Sequence, residues 1–199
     1  MERKIEEIRQ NFEKHGMNLR YVETPQQAAE LLSRELKERN IVFGGSVTSE
    51  ELGLYDLLGR QNRVYWHWKQ PVEQRREAEQ QMQVYITSAN ALSATGEIVN
   101  IDGSCNRISG ATYGPQVVYY ICGINKLTDD LSTAIDRARN VAAPMNARRL
   151  NRKTPCAVDG KCHDCQSPDR ICNVMNITMR RPGAVERVEI LLVGCSLGY

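Results

Sequence analysis

The chain has 199 residues, 41% of them hydrophobic, enough to bury one sizeable core, with two small lobes still open. Its 26 basic and 24 acidic side chains leave a net charge of +2, which argues against a nucleic-acid partner, and no apolar run approaches the ~20 residues that cross a bilayer. Seven cysteines, an odd count with no charged and apolar leader at the start, point to the cytoplasm and away from a disulfide framework.

The first 40 residues read as a helical segment. Ile5, Ile8 and Phe12 recur at helical spacing up to a stop at Gly16, and this end could cap the core or dock on a second copy, leaving a homodimer open. A second helix starts after Thr24-Pro25, where threonine supplies the N-cap and proline suits the first turn. Ile41-Val42-Phe43 then forms a short strand that runs into Gly44-Gly45-Ser46-Val47-Thr48. Ser49 is expected to cap a helix through Leu57, which leaves the glycines at a strand-to-helix turn. Backbone N–H groups at such a turn, with the Ser46 and Thr48 hydroxyls, can hold a phosphate or carboxylate, although the motif lacks the lysine of a P-loop and the third glycine of a dinucleotide fingerprint. A structural turn explains the same residues.

Strand and helix patterns alternate through the middle: RVYWHW at 63–68, a polar helix over 72–81, then Val84-Tyr85-Ile86-Thr87. Such alternation favours an α/β fold with a mostly parallel sheet flanked by helices. If the strand continues through them, Trp66 and Trp68 share one face, most simply a packing face, and His67 points the other way, where it could reach a site mouth. The stretch 88–115 is rich in glycine and short polar groups around the strand Ile98-Val99-Asn100-Ile101. Glu97 and Asp102 are its only carboxylates and so the candidate proton-transfer groups, Asn100 and Asn106 are candidate ligand contacts, and the Arg107 fork suits a carboxylate or phosphate. The bland alternative is that the asparagines and glycines only build turns. A buried strand at 116–122 delivers Asn125 and Lys126 to its end, where open α/β sheets place ligands, and a solvated lysine explains Lys126 equally well. A helix follows Asp129-Asp130 and is expected to stop before Pro144. The run at 188–193 supplies the sheet's final member, with Asn176–Arg180 a short hairpin partner.

Between 154 and 173 lies TPCAVDGKCHDCQSPDRIC, with Cys156, Cys162, Cys165 and Cys172. The spacing allows four thiolates to surround one centre, and the nearby arginines and lysines would offset the resulting charge. Spacing and charge alone do not choose between zinc and an iron-sulfur cluster, and disulfides or inert thiols are the alternatives.

FGGSVTSEELGL, TSANALSATGEIVNIDG, NRISGATYGP, GINKL and APMNARRLNRKTPC, taken in order, resemble the LUD-domain family, which includes the lactate-utilisation protein C group, over roughly Val42 to Gly198. The resemblance implies one LUD-like domain over 1–199 with a fold similar to the sugar-phosphate isomerase and coenzyme A transferase superfamily. Its ligand site would face Gly44 to Thr48, the 97–107 turns and Asn125-Lys126, and Gly45, Ser46 and Thr48 would take an anionic group. The cysteine insert is similar to that of a subset of the family and implies an iron-sulfur cluster, [4Fe-4S] by its ligand count, ahead of zinc. The expectation is then an iron-sulfur protein that binds an anionic small molecule in lactate-type oxidative metabolism. The alternatives are an electron-relay or structural subunit beside an oxidoreductase partner and a zinc-stabilised anion-binding enzyme. Whether it is an enzyme stays open. Cys105 stands where the family often carries glycine.

Overall fold

The computed structural model describes residues 2–199. Helix α1 (Glu2–Lys14) buries Ile8 and Phe12, as their spacing requires, and the chain turns at Gly16 with φ +70°. Strand β1 (Asn18–Val22) follows inside the segment read as helical. Helix α2 (Pro25–Glu35) begins with a full capping box: Thr24 accepts from Gln27 N, and the Gln27 side chain accepts in return from the Thr24 backbone. The chain continues through β2 (Asn40–Phe43), α3 (Val47–Glu51), α4 (Leu54–Gly59), β3 (Arg63–Trp66), α5 (Arg75–Gln80), β4 (Val84–Thr87), β5 (Ala91–Ser93), β6 (Ile98–Asp102) and α6 (Asn106–Thr112). Beyond it come β7 (Val117–Gly123), β8 (Leu127–Thr128), α7 (Leu131–Arg137), α8 (Ala143–Arg149), α9 (Pro155–Asp159), β9 (Val174–Thr178) and β10 (Arg187–Val193).

Six strands form one sheet in the order β1-β10-β7-β4-β2-β3, every neighbouring pair parallel. Both faces are covered, so its central strands are continuously apolar and alternate residues serve two different cores. Tyr85, Val118, Tyr120, Ile190 and Leu192 join the core under α1. Their neighbours Ile86, Tyr119, Ile121, Leu191 and Val193 join the core under α2 and α4. A second, four-stranded sheet in the order β8-β5-β6-β9 is mixed, and its alanines and valines pack against α7 through Ala134 and Ala138. The fold is thus mixed α/β with a mostly parallel sheet.

Four further expectations change. Ser46, not Ser49, caps the helix after the glycines, because its hydroxyl accepts from Ser49 N at 3.1 Å. That helix ends at Glu51, and a second one starts after Gly53. Pro144 does not stop the helix that starts at Leu131. A π-helical segment (Ala138–Ala142) widens the turn that the proline ring would otherwise hit, and α8 continues to Arg149. Strand β10 lies inside the sheet, between β1 and β7, and is not its last member. The strand expected at 176–180 runs over 174–178 and pairs with β6 in the second sheet. Among the described residues no helix is long and apolar enough to cross a membrane.

Candidate functional site

Four neighbouring strands, β10, β7, β4 and β2, release the chain at one edge of the parallel sheet, and their carboxyl ends surround a cavity of ≈ 450 Å³. β2 delivers Gly45 and Ser46, β4 delivers Ser88 to Asn90, β7 delivers Lys126, and β10 delivers Gly198 and Tyr199. The second sheet closes another side with Ile101 and Asp102, at the end of β6. This is the position where open parallel sheets bind ligands, since backbone groups and helix starts face the same space.

Lys126 sits at the centre of this construction, 3% exposed. Its Nζ donates to Ser88 Oγ at 2.8 Å and to Thr48 Oγ1 at 3.0 Å, so two of its three donors meet hydroxyls. Among the described residues no carboxylate forms an ion pair with it. Burial, with the neighbouring Arg137 and Arg107 cations, pulls its pKa down to about 8 against a pull upward from Cys122 and Glu51. The segment after β10 lies over it as a strap. Leu197 N donates to Asn125 Oδ1 at 3.1 Å, Thr48 Oγ1 donates to Leu197 O at 3.4 Å, and Gly198 N donates to Glu51 Oε2 at 2.7 Å. Gly198 has φ +56°, and a Cβ there would lie 2.7 Å from Thr48 Oγ1 and 3.3 Å from Lys126 Nζ, so glycine lets the strap lie this close.

Asp102 works as a brace. Its carboxylate accepts from Gly103 N at 2.9 Å and from Arg107 N at 3.0 Å, which fixes the start of α6 and turns Arg107 toward the cavity. The Arg107 guanidinium lies 3.7 Å from the same carboxylate and donates to Ile101 O. Cys105, just before α6, has φ +62°, the left-handed region that favours glycine. That geometry explains why glycine suits the position. Opposite Arg107, the Arg149 guanidinium stacks 4.9 Å from the Trp68 ring and donates to the Tyr199 hydroxyl at 2.6 Å, which in turn donates to Asn146 at 2.7 Å. Burial and then Arg75 hold the His67 imidazole below its ordinary pKa, so at the cavity wall it is neutral at pH 7. Five cations line the cavity (Arg107, Lys126, Arg149, Arg152, Arg170) against two carboxylates (Asp102, Asp169), and Arg170 also pairs with Asp164 at 3.2 Å just outside it, so two positive charges are left unmatched.

Of the residues expected at a ligand site, Gly45, Ser46, Asp102, Asn106, Arg107 and Lys126 line the cavity. Thr48 and Asn125 stand one layer behind and hold Lys126 and the strap. Gly44 is tied into the sheet, its N–H donating to Ile86 O at 2.9 Å, and Asn100 accepts from Asn90 N at 3.2 Å, bracing the β4 exit. Glu97 lies at the opposite end of β6 from Asp102, in the hairpin that rests on α1. It accepts from Thr95 Oγ1 at 2.6 Å, while Gly96 O contacts His15 at 2.8 Å. The structure does not bring the two carboxylates together. Ser88, Arg149 and Tyr199 were missed by sequence reasoning. Ser88 sits at a strand end, a signal that could have found it, and the basic run containing Arg149 had been read only as a counter-charge for the cysteines.

The cysteine segment corrects the expected metal centre. Among the described residues no group of three or more histidine, cysteine, aspartate or glutamate side chains comes together so as to hold a metal ion. The expected ligand set of Cys156, Cys162, Cys165 and Cys172, the [4Fe-4S] cluster, the zinc alternative and the place among cluster-bearing relatives are therefore overturned. With them goes the expected role as an iron-sulfur protein of lactate-type oxidation or a cluster-based relay. Three of the four thiols have local contacts of their own. Cys156 Sγ lies 3.3 Å from Thr154 Oγ1, Cys162 Sγ accepts from Arg139 at 3.8 Å, and Cys172 packs against the Ala134–Ala138 side of the third core. Burial pushes the Cys172 thiol up, away from the thiolate that a metal needs. The loop is held by Arg170, which donates to Cys165 O at 2.9 Å, to Cys172 O at 3.1 Å and to Asp164 at 3.2 Å.

No curated protein matches the chain. A crystal structure of a DUF162 family protein from Deinococcus radiodurans is similar in fold, with a TM-score of 0.54 over 96% of this chain and 97% of that one, at 10% sequence identity. The LUD domain model matches residues 5–193, from α1 to the end of β10, and so takes in every strand that delivers a residue to the cavity. The chain belongs to the LUD domain family.

Proposed function

We propose that the cavity at the carboxyl ends of β10, β7, β4 and β2 binds a small molecule carrying a carboxylate or phosphate. One observation carries this reading: positive charge is in excess there by two, and one of the unmatched cations is a buried lysine held only by hydroxyls. A buried charge without a counter-ion is costly, and an anionic ligand would offset that cost. Arg107, aimed by Asp102, supplies a forked donor, and Ser46 at the start of α3 with Lys126 supplies the facing side. The likeness to the sugar-phosphate isomerase and coenzyme A transferase superfamily, drawn from the motifs, is part of this reading. The glycine pair at the end of β2 and the wholly parallel six-stranded sheet support it.

Titration calorimetry with inorganic phosphate, malonate and the neutral analogue malonamide tests the reading. At least one anion is expected to bind ten-fold or more tightly than malonamide, with affinity falling in Arg107→Ala and Lys126→Met. Equal binding of the charged and neutral probes, or unchanged affinity in both variants, overturns it.

A further inference from the structure

We infer that Lys126 is a nucleophile that forms an imine with an anionic carbonyl compound, an aldehyde or ketone carrying a carboxylate or phosphate; this rests on the anion-binding reading above. The geometry separates Lys126 from an ordinary anion-binding lysine. A lysine that serves only as a point charge works best while fully protonated and near water. This one is withdrawn to 3% exposure, yet it borders the cavity. Its two identified partners are hydroxyls, which accept from an ammonium; Ser88 can also turn to donate to a neutral amine, while Thr48 directs its own hydrogen to Leu197 O.

A second cation flanks it. The half-buried Arg137 guanidinium donates to Asn125 O at 2.9 Å and to Asn90 O, so it is fixed behind the two loops that present Lys126 and Ser88. A desolvated lysine beside a fixed cation is the environment that frees an amine for attack on a carbonyl. The lowered pKa of Lys126 follows from the same two causes, burial first.

The step balances without another reagent. The Lys126 nitrogen, having passed its extra proton to solvent through Ser88 or Thr48, attacks the carbonyl carbon and forms the C–N bond while the carbonyl electrons move to oxygen. Proton transfer from nitrogen to that oxygen gives a carbinolamine. The carbon–oxygen bond then breaks, the oxygen leaves as water with a second proton, and the C=N bond remains. Arg107 and Arg149 face the space where the carboxylate or phosphate would lie. No oxidant or reductant is consumed.

The test is rapid borohydride reduction of the protein mixed with pyruvate in one arm and dihydroxyacetone phosphate in the other, followed by intact mass and peptide mapping, with calorimetry of the same probes in parallel. One reduced adduct per chain at Lys126 is expected in at least one arm, and the arm that labels names the anionic group. It should be absent in Lys126→Arg, whose folding is checked by its melting curve. Binding of both probes by calorimetry with no adduct at Lys126 overturns the imine and leaves the anion site standing. Labelling spread over surface lysines and equal in Lys126→Arg also overturns it. Neither binding nor labelling removes both readings.

Discussion

Lys126 donates its hydrogen bonds to Ser88 and Thr48, 38 and 78 residues away in the chain, whereas the cysteine segment is held largely by contacts within itself, chiefly Arg170 to the carbonyls of Cys165 and Cys172. The first region is built by the sheet, which carries distant loops to one edge, and its polar atoms are buried as a consequence. The second is a surface loop whose sulfurs are half-buried, with Cys156 and Cys162 each on a contact of its own. Crowding along the chain therefore did not become convergence in space. Residues of modest local appearance became a charged, enclosed site because topology collected them.

Removing the lysine charge should break the comparison most strongly. Lys126→Met is expected to weaken anion binding about 100-fold, the loss of one buried charge-assisted contact, and to leave the chain more stable than the parent at pH 7. The pH dependence has a defined sign. Below about pH 8 the folded and unfolded chains both hold the Lys126 proton, and the penalty of burying that charge is fully present. From about 8 up to the ordinary value of 10.5, only the unfolded chain keeps the proton, so parental stability rises with pH relative to the variant by up to about 3 kcal/mol. Urea titrations of both proteins at pH 7 and pH 10 measure the difference, and a gap that does not narrow would contradict the placement of Lys126.

Gly198→Ala attacks the strap. The added Cβ meets Thr48 Oγ1 and the backbone is in the left-handed region, so a loss of about 1–2 kcal/mol is expected, together with weaker anion binding. Asp102→Asn keeps one acceptor oxygen where the carboxylate served two backbone N–H groups and Arg107, and should lose about 1–2 kcal/mol at neutral pH. Unchanged melting in either variant would detach these residues from the roles given to them. Cys105→Gly goes the other way: relief of the left-handed conformation at φ +62°, reduced by the extra freedom of an unfolded glycine, gives about 0.5 kcal/mol of added stability.

Local patterns made much of the fold legible. The capping box at Thr24, the apolar runs of β2, β4, β7 and β10, and the helical spacing of α1 depend on neighbours in the chain, and each names its own element. Strand β1 escaped because only Leu19 of its five residues is buried, as befits a sheet edge. The site was legible where a residue stands at a strand end: Gly45, Ser46 and Lys126 follow from that rule alone. Tyr199 and Arg149 were not, since their partnership depends on β10 lying beside β7, a tertiary pairing with no local signature. Glu97 failed for a related reason. It lies five residues from Asp102, close in sequence, but an extended strand between them puts them at opposite ends, roughly 17 Å apart at 3.4 Å per residue.

The smallest expected effect bears on the cysteine loop. Cys162 Sγ accepts one long hydrogen bond from Arg139, at 3.8 Å, and Arg139 has a second partner in Asp164 at 3.8 Å. Serine keeps an acceptor of nearly the same size at a half-exposed position. Cys162→Ser should therefore change stability by no more than about 0.5 kcal/mol and leave anion binding untouched. A cysteine ligating a metal would behave differently, because its loss removes binding free energy that is part of folding, several kcal/mol for a structural site. Urea unfolding of Cys162→Ser beside Cys172→Ser distinguishes these cases. Cys172 packs against the third core, so its serine variant should lose about 1–2 kcal/mol by burying a hydroxyl, while Cys162→Ser does not. Equal and large losses in both would mean that the sulfurs act as a unit and that the loop is built like the pocket after all.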